Sequence, residues 1–231
     1  MCAIVFDGYG TLFDAGKENI PQIAFYIGKV YGVSGELVYE IWSREYFKLE
    51  SQFKTHFMTI VDANRLSLKT AFRELHLPTK EVERWIFQLI NFWSNGKMFE
   101  GANNLLHLLK SRYKDIRIGL LSNTDNLTIS KEISNTGISL DFVVTSESAK
   151  SYKPERYIFD YMMQKYNIDP IRSIYIGNSH RDIIGASSIG MYSIFFNHEN
   201  LTPIDCPTLL ATVDSLSEVQ PVIDKFLTDI Q

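Results

Sequence analysis

Four separated segments of a 231-residue chain carry side chains that could act together on one substrate. Asp7 and Thr11 share a loop with Gly8 and Gly10. Ser122 and Asn123 follow an apolar run, Lys153 precedes Pro154, and Asn178, Ser179 and Asp182 follow Gly177. The set offers a carboxylate nucleophile, hydroxyls, an amine and a second carboxylate. An aspartate nucleophile needs a cation to organise it and donors to hold the charge that develops on the substrate, and both are present. An acid directly after a buried strand is costly unless it has a role. Asp7 is therefore read as the nucleophile, Lys153 as the active-site amine, and Thr11, Ser122 and Asn123 as polar members of the same site. His180 is a lone loop histidine and is read as a surface residue. His56, His76, His107 and His198 show no ligand spacing.

For these segments to converge, the elements between them must deliver them to one edge. Residues 3–6, 116–121, 142–145, 173–176 and 192–196 are short apolar runs, each closed by polar residues or glycine. Such runs predict strands buried on both faces, as in a parallel sheet. Helix-period segments over 102–111, 127–135, 157–166 and 182–189 lie between them. The alternation predicts an α/β fold with a doubly wound parallel sheet, whose ligands gather outside the carboxyl ends of the strands. Leu209 to Val213 reads as a further short strand and Ser217 as the start of a last helix.

Residues 19–95 carry helix-period segments and no convincing strand. Pro21 marks a helix start, and Ser34 caps a helix reaching about Phe53. Another spans Phe57 to Leu75, and Thr79 caps one running to Trp93. Asn95-Gly96 is a turn signal that closes the block. The expected organisation is a core of residues 1–18 and 96–231, with a helical domain of residues 19–95 inserted after the first strand.

Lys plus Arg is 23 against 27 Asp plus Glu, a formal charge of −4. A weakly acidic chain has no global field for nucleic acid or an anionic membrane, so neither partner is expected, and an anionic substrate must be held locally. Cys2 and Cys206 have no disulfide or metal spacing. No apolar run reaches the roughly 18 residues of a membrane span. The first residues lack the basic region of a signal peptide, and a cytoplasmic location is expected.

These segments also resemble a known family. Phe6-Asp7-Gly8-Tyr9-Gly10-Thr11-Leu12 is similar to the first motif of the haloacid dehalogenase-like (HAD) hydrolases, and Leu121-Ser122-Asn123 to the second. Lys153-Pro154 with Ile158-Phe159 resembles the third, and Gly177-Asn178-Ser179-His180-Arg181-Asp182 with Gly185-Ala186 the fourth. Phe99-Glu100-Gly101-Ala102 resembles the family's return from cap to core. The resemblance implies a Rossmann-like core, an α-helical cap after the first strand, and a covalent aspartyl intermediate on Asp7.

Within that family the chain mixes two chemistries. Phosphatase members carry a second aspartate two residues after the nucleophile, to protonate the leaving alcohol. Here that position is Tyr9, as in the dehalogenase branch, whose halide leaves without a proton. Losing the acid should slow cleavage of ordinary phosphomonoesters by about 10²–10⁴-fold. Against dehalogenation, the branch's cap arginine after a tryptophan is replaced: Ser43 follows Trp42, and Arg44 would face about 100° away on a helix. Phe159 stands where that branch has tyrosine. Gly177-Asn178-x-x-x-Asp182 resembles a phosphatase metal motif with one aspartate neutralised. On that resemblance a Mg²⁺ site is expected from the Asp7 carboxylate, the Tyr9 backbone carbonyl, Asp182 through water, and Asn178. The balance favours phosphoryl transfer on a small anionic metabolite over 2-haloacid dehalogenation. The Tyr9 and Asn178 replacements leave a third reading, a degenerate domain that only binds.

Overall fold

The computed structural model describes residues 1–14 and 19–229. The chain opens with β1 (Ala3–Phe6), followed by four helices, α1 (Asn19–Tyr31), α2 (Gly35–Glu50), α3 (Ile60–Glu74) and α4 (Val82–Trp93). Then come α5 (Ala102–Arg112), β2 (Arg117–Ser122), α6 (Asn126–Thr136), β3 (Phe142–Thr145) and the one-turn α7 (Ser146–Ala149). The chain continues through α8 (Arg156–Tyr166), β4 (Ile174–Gly177), α9 (His180–Ser188), β5 (Tyr192–Phe196), β6 (Leu209–Val213) and α10 (Val219–Asp229).

Among the described residues the six strands are all parallel, in the order β3-β2-β1-β4-β5-β6. This is a Rossmann-like α/β sheet. Its strand order reverses between β1 and β4, the switch point at which such sheets bind ligands. The apolar runs become strands because every residue of β1 and β4 is buried, which leaves no polar face to alternate with. Ala3, Val5, Leu121 and Tyr175 pack with Ile158, Phe159 and Met162 of α8 on one side of the sheet.

Two compact units emerge. Residues 1–14, 97–123 and 136–231 form the sheet unit; residues 15–96 and 124–135 form the helical unit. The helical unit has its own core, in which Ile23, Ile27, Trp42, Leu68, Phe72, Trp85 and Leu89 bring α1 to α4 together. Ser34 caps α2 by accepting from the Leu37 amide. Thr79 does not cap α4: it opens a single 3₁₀ turn over residues 79–81, and no side chain caps the start of α4.

Residues 124–135 were expected in the core, yet they cluster with the inserted helices. Three side chains account for this. Asp125 accepts from the Ile60 and Val61 amides at 3.0 and 2.6 Å, satisfying orphan donors at the start of α3. Glu132 accepts from the Gly96 amide, and Asn135 donates to the Ser94 carbonyl. The expected boundary at residue 18 lies outside the described residues.

Candidate active site

Asp7 continues the ladder one residue past β1, its amide donating to the Ile176 carbonyl at 2.8 Å. The chain then turns sharply, with the amides of Leu12 and Phe13 both donating to the Gly8 carbonyl. Two glycines make room for this turn. A Cβ on Gly8 would stand 2.9 Å from the Ser122 hydroxyl, and one on Gly10 only 2.3 Å from the Asn178 amide nitrogen. Gly10 also has φ +88°, a conformation side chains rarely adopt. Those clearances place Ser122 against the Asp7 turn and Asn178 against its far side. Thr11 is buried, and its hydroxyl lies 3.5 Å from Asn178 Oδ1.

Lys153 is the hub. Its Nζ lies 2.6 Å from Asp7 Oδ1, 2.6 Å from Asp182 Oδ1 and 2.8 Å from the Tyr175 hydroxyl. Only 4% of Lys153 and 7% of Asp7 are exposed, so water does little to screen them. Asn123 serves Lys153 through the backbone. Its Oδ1 accepts from the Lys153 amide at 2.7 Å and its Nδ2 donates to the Lys153 carbonyl at 3.1 Å. Asp182 lies in the first turn of α9, where Oδ2 accepts from the Ser179 amide and hydroxyl at 3.0 and 2.7 Å.

Two carboxylates share one ammonium, so the cluster carries a formal charge of −1. Burial pushes the Asp7 carboxyl up to about 6; Lys153 pulls it down and Asp182 pushes it further up. Burial on its own would lower the Lys153 ammonium, but Asp182 and Asp7 outweigh it and hold the group above its usual value. Burial and the Asp182 charge raise Tyr175 well above the phenol range, so its hydroxyl stays neutral.

The residues expected to hold Mg²⁺ are all in the sheet unit, and several of their oxygens are already engaged. Both Asp182 oxygens are occupied, Asp7 Oδ1 faces an ammonium, and Asn178 Oδ1 faces Thr11. Among the described residues, no three or more acidic, histidine or cysteine side chains gather as a metal cluster. A cation at Asp182 would displace bonds this arrangement already makes.

His180 is apart from the cluster, its ring hydrogen-bonded to the Thr202 carbonyl. Tyr175 is the site residue that sequence reasoning missed. An aromatic inside an apolar strand reads as core, but a buried hydroxyl must find a partner, and that requirement was the available signal. Phe159, the position that departs from the dehalogenase pattern, packs its ring 5.6 Å from the Tyr175 ring.

The family profile of haloacid dehalogenase-like hydrolases matches residues 37–196. The chain belongs to that family. A (S)-2-haloacid dehalogenase of Burkholderia cepacia is 23% identical over 236 residues, covering 98% of this chain and 96% of the relative. A glyceraldehyde 3-phosphate phosphatase of Methanothermobacter thermautotrophicus is 32% identical over 100 residues, covering 42% of this chain and 44% of the relative. The solved structure of a 2-haloacid dehalogenase from Pseudomonas syringae shares the fold at TM-score 0.74 and 19% identity, covering 98% of this chain and 100% of that one. This HAD hydrolase therefore has full-length likeness to dehalogenases and partial likeness to a phosphatase. Among its described residues, no helix is long and apolar enough to cross a membrane.

Proposed function

We propose that this HAD hydrolase cleaves a carbon–halogen bond in a small 2-haloacid, through an ester on Asp7. The carrying observation is the Lys153 clamp. One ammonium pairs with both carboxylates, while position 9 offers a tyrosine in place of a carboxylic acid. A site without the carboxylic acid two residues after the nucleophile suits a leaving group that needs no proton. This reverses the preference of the sequence reading, because the clamp occupies Asp182 and the curated relatives matched over most of their length are dehalogenases.

In the first step an Asp7 carboxylate oxygen attacks the carbon bearing the halogen. The C–O bond forms as the C–X bond breaks, and the halide departs with the electron pair. Water then adds to the Asp7 carbonyl carbon, the alkyl oxygen leaves as the 2-hydroxyacid, and one proton is released to solvent. Lys153 organises Asp7 in the first step and stabilises the oxyanion in the second. Ser122 and Thr11 line the same turn, and Asn123 positions the Lys153 backbone.

A second reading rests on Gly177-Asn178-x-x-x-Asp182 and on the 100-residue likeness to a phosphatase. It is phosphoryl transfer from an anionic metabolite, with Mg²⁺ held by Asp7, the Tyr9 carbonyl, Asn178 and Asp182. The deciding experiment offers L-2-chloropropionate and p-nitrophenyl phosphate, each in EDTA and in millimolar Mg²⁺. Halide release that persists in EDTA is the expected result. Phosphate release that stops in EDTA and returns with Mg²⁺, without halide release, would establish the second reading. Silence from folded protein on both substrates would point to a binding domain.

A further inference from the structure

We propose that Tyr175 is the positioning residue that keeps the Lys153 ammonium aimed at Asp7 after the nucleophile has been esterified. The argument starts from a proton inventory. An ammonium has three N–H donors and no acceptor. Lys153 has three acceptors in reach: Asp7 Oδ1, Asp182 Oδ1 and the Tyr175 hydroxyl, at 2.6, 2.6 and 2.8 Å. All three donors are thereby committed. Tyr175 accepts from Lys153, so its own proton must go elsewhere, and its nearest acceptor is the Leu121 carbonyl at 2.8 Å. Asp182 Oδ1 is farther, at 3.3 Å. The hydroxyl therefore links the ammonium to the backbone of β2, whereas the other two partners are side-chain carboxylates.

That difference matters during turnover. When Asp7 becomes an ester it loses its negative charge, and Oδ1 becomes a weaker acceptor. Lys153 would then be drawn towards Asp182, the remaining carboxylate of the cluster. The backbone-anchored hydroxyl opposes that shift and keeps an N–H on the ester carbonyl for the attack of water. Tyr175 suits this role because it is fully buried and its phenol adds an acceptor without adding a third carboxylate. No proton passes through it in either step. Phe159 fixes the ring from the α8 side.

This inference rests on the ester reading, and the test separates the two. In Tyr175→Phe, ester hydrolysis should slow, so kcat falls about tenfold while kcat/KM stays within twofold, KM falls in parallel, and the Asp7 adduct accumulates in quenched-reaction mass spectra. A merely structural role would lower kcat and kcat/KM together without adduct. A second arm needs no substrate: a urea-unfolding cycle of Tyr175→Phe, Lys153→Met and the double variant. The double variant's unfolding constant should fall short of the product of the single effects by about fivefold or more. Lys153→Gln replaces Lys153→Met in the cycle if the latter does not fold. Effects that multiply to within twofold would overturn the positioning role, whatever the substrate. Coupling without adduct would overturn the esterified-state role and leave the ester reading to the substrate panel.

Discussion

The strand-end cluster and the inserted helices bury polar groups in opposite ways. At the strand ends Asp7, Lys153, Tyr175 and Asp182 are nearly or wholly inaccessible, and each polar head has a partner within 3 Å. In the helical unit the indole nitrogens of Trp42 and Trp85 and Asn64 Oδ1 are buried with no partner among the described residues. Each such orphan costs about 1–3 kcal/mol. A catalytic cluster cannot carry that slack, because its electrostatics depend on every donor having one fixed target. The helical unit is specified mainly by apolar packing, and it folds in spite of such a cost.

The largest expected effect comes from removing the nucleophile. Asp7→Asn should lower kcat on the proposed haloacid by on the order of 10⁴-fold or more, since a carboxamide oxygen is a far weaker nucleophile. It should also stabilise the protein. A carboxyl raised from 3.8 to about 6 binds more protons folded than unfolded, so its ionisation erodes stability as pH climbs through that window. Above pH 6 the cost approaches on the order of 3 kcal/mol, and part of it is returned when Asn replaces Asp. The expected result at pH 8 is a Tm higher by a few degrees. A lower Tm would mean that the Lys153 bond outweighs burial.

Lys153→Met should be nearly as severe for activity, about 10²–10³-fold in kcat/KM, and opposite in sign for stability. It leaves two carboxylates buried without a counter-charge, which typically costs about 3–5 kcal/mol. Urea unfolding at pH 8 measures this, and Lys153→Met/Asp182→Asn should regain part of the loss. Wild-type stability in the single variant would remove the basis for calling the cluster a clamp.

A milder perturbation is pH itself. Only the ionised Asp7 attacks, so kcat/KM should be flat above about pH 6 and fall about tenfold per unit below it. A profile still flat at pH 5 would show that Lys153 and the hydrogen bonds dominate over burial.

What the sequence revealed follows from the same contrast. Strands were legible because parallel strands are apolar on both faces, and Asp7, Lys153 and Asp182 stood out as charges where such runs end or helices begin. Tyr175 was hidden because its ring satisfies the apolar pattern and only its hydroxyl does chemistry. Asn123 was read as a member of the site, but its bonds to the Lys153 backbone link positions thirty residues apart, which no local pattern encodes. Residues 124–135 followed a strand and so read as core. Their place with the inserted helices is set by Asp125, Glu132 and Asn135, each reaching backbone at least 36 residues away in sequence.

The smallest effect is the sharpest test of the contrast. Asn64 is 1% exposed in α3, and its Nδ2 donates to the Ile60 carbonyl one turn back at 2.9 Å. That carbonyl is already the acceptor for the helical N–H of residue 64, so the side-chain bond is supplementary. Oδ1 has no partner among the described residues, and Asn64 lines a cavity of about 210 Å³ with room for a slightly larger side chain. Asn64→Leu removes the orphan and adds apolar area, its extra volume extending into that cavity. Exchanging a buried unpaired acceptor for a hydrocarbon should be neutral or stabilise by up to about 1 kcal/mol. The same urea titration used for Lys153→Met reads it. A loss above about 1 kcal/mol would mean that Oδ1 has a partner in solution, and that the helical unit satisfies its buried polar groups as strictly as the strand ends do.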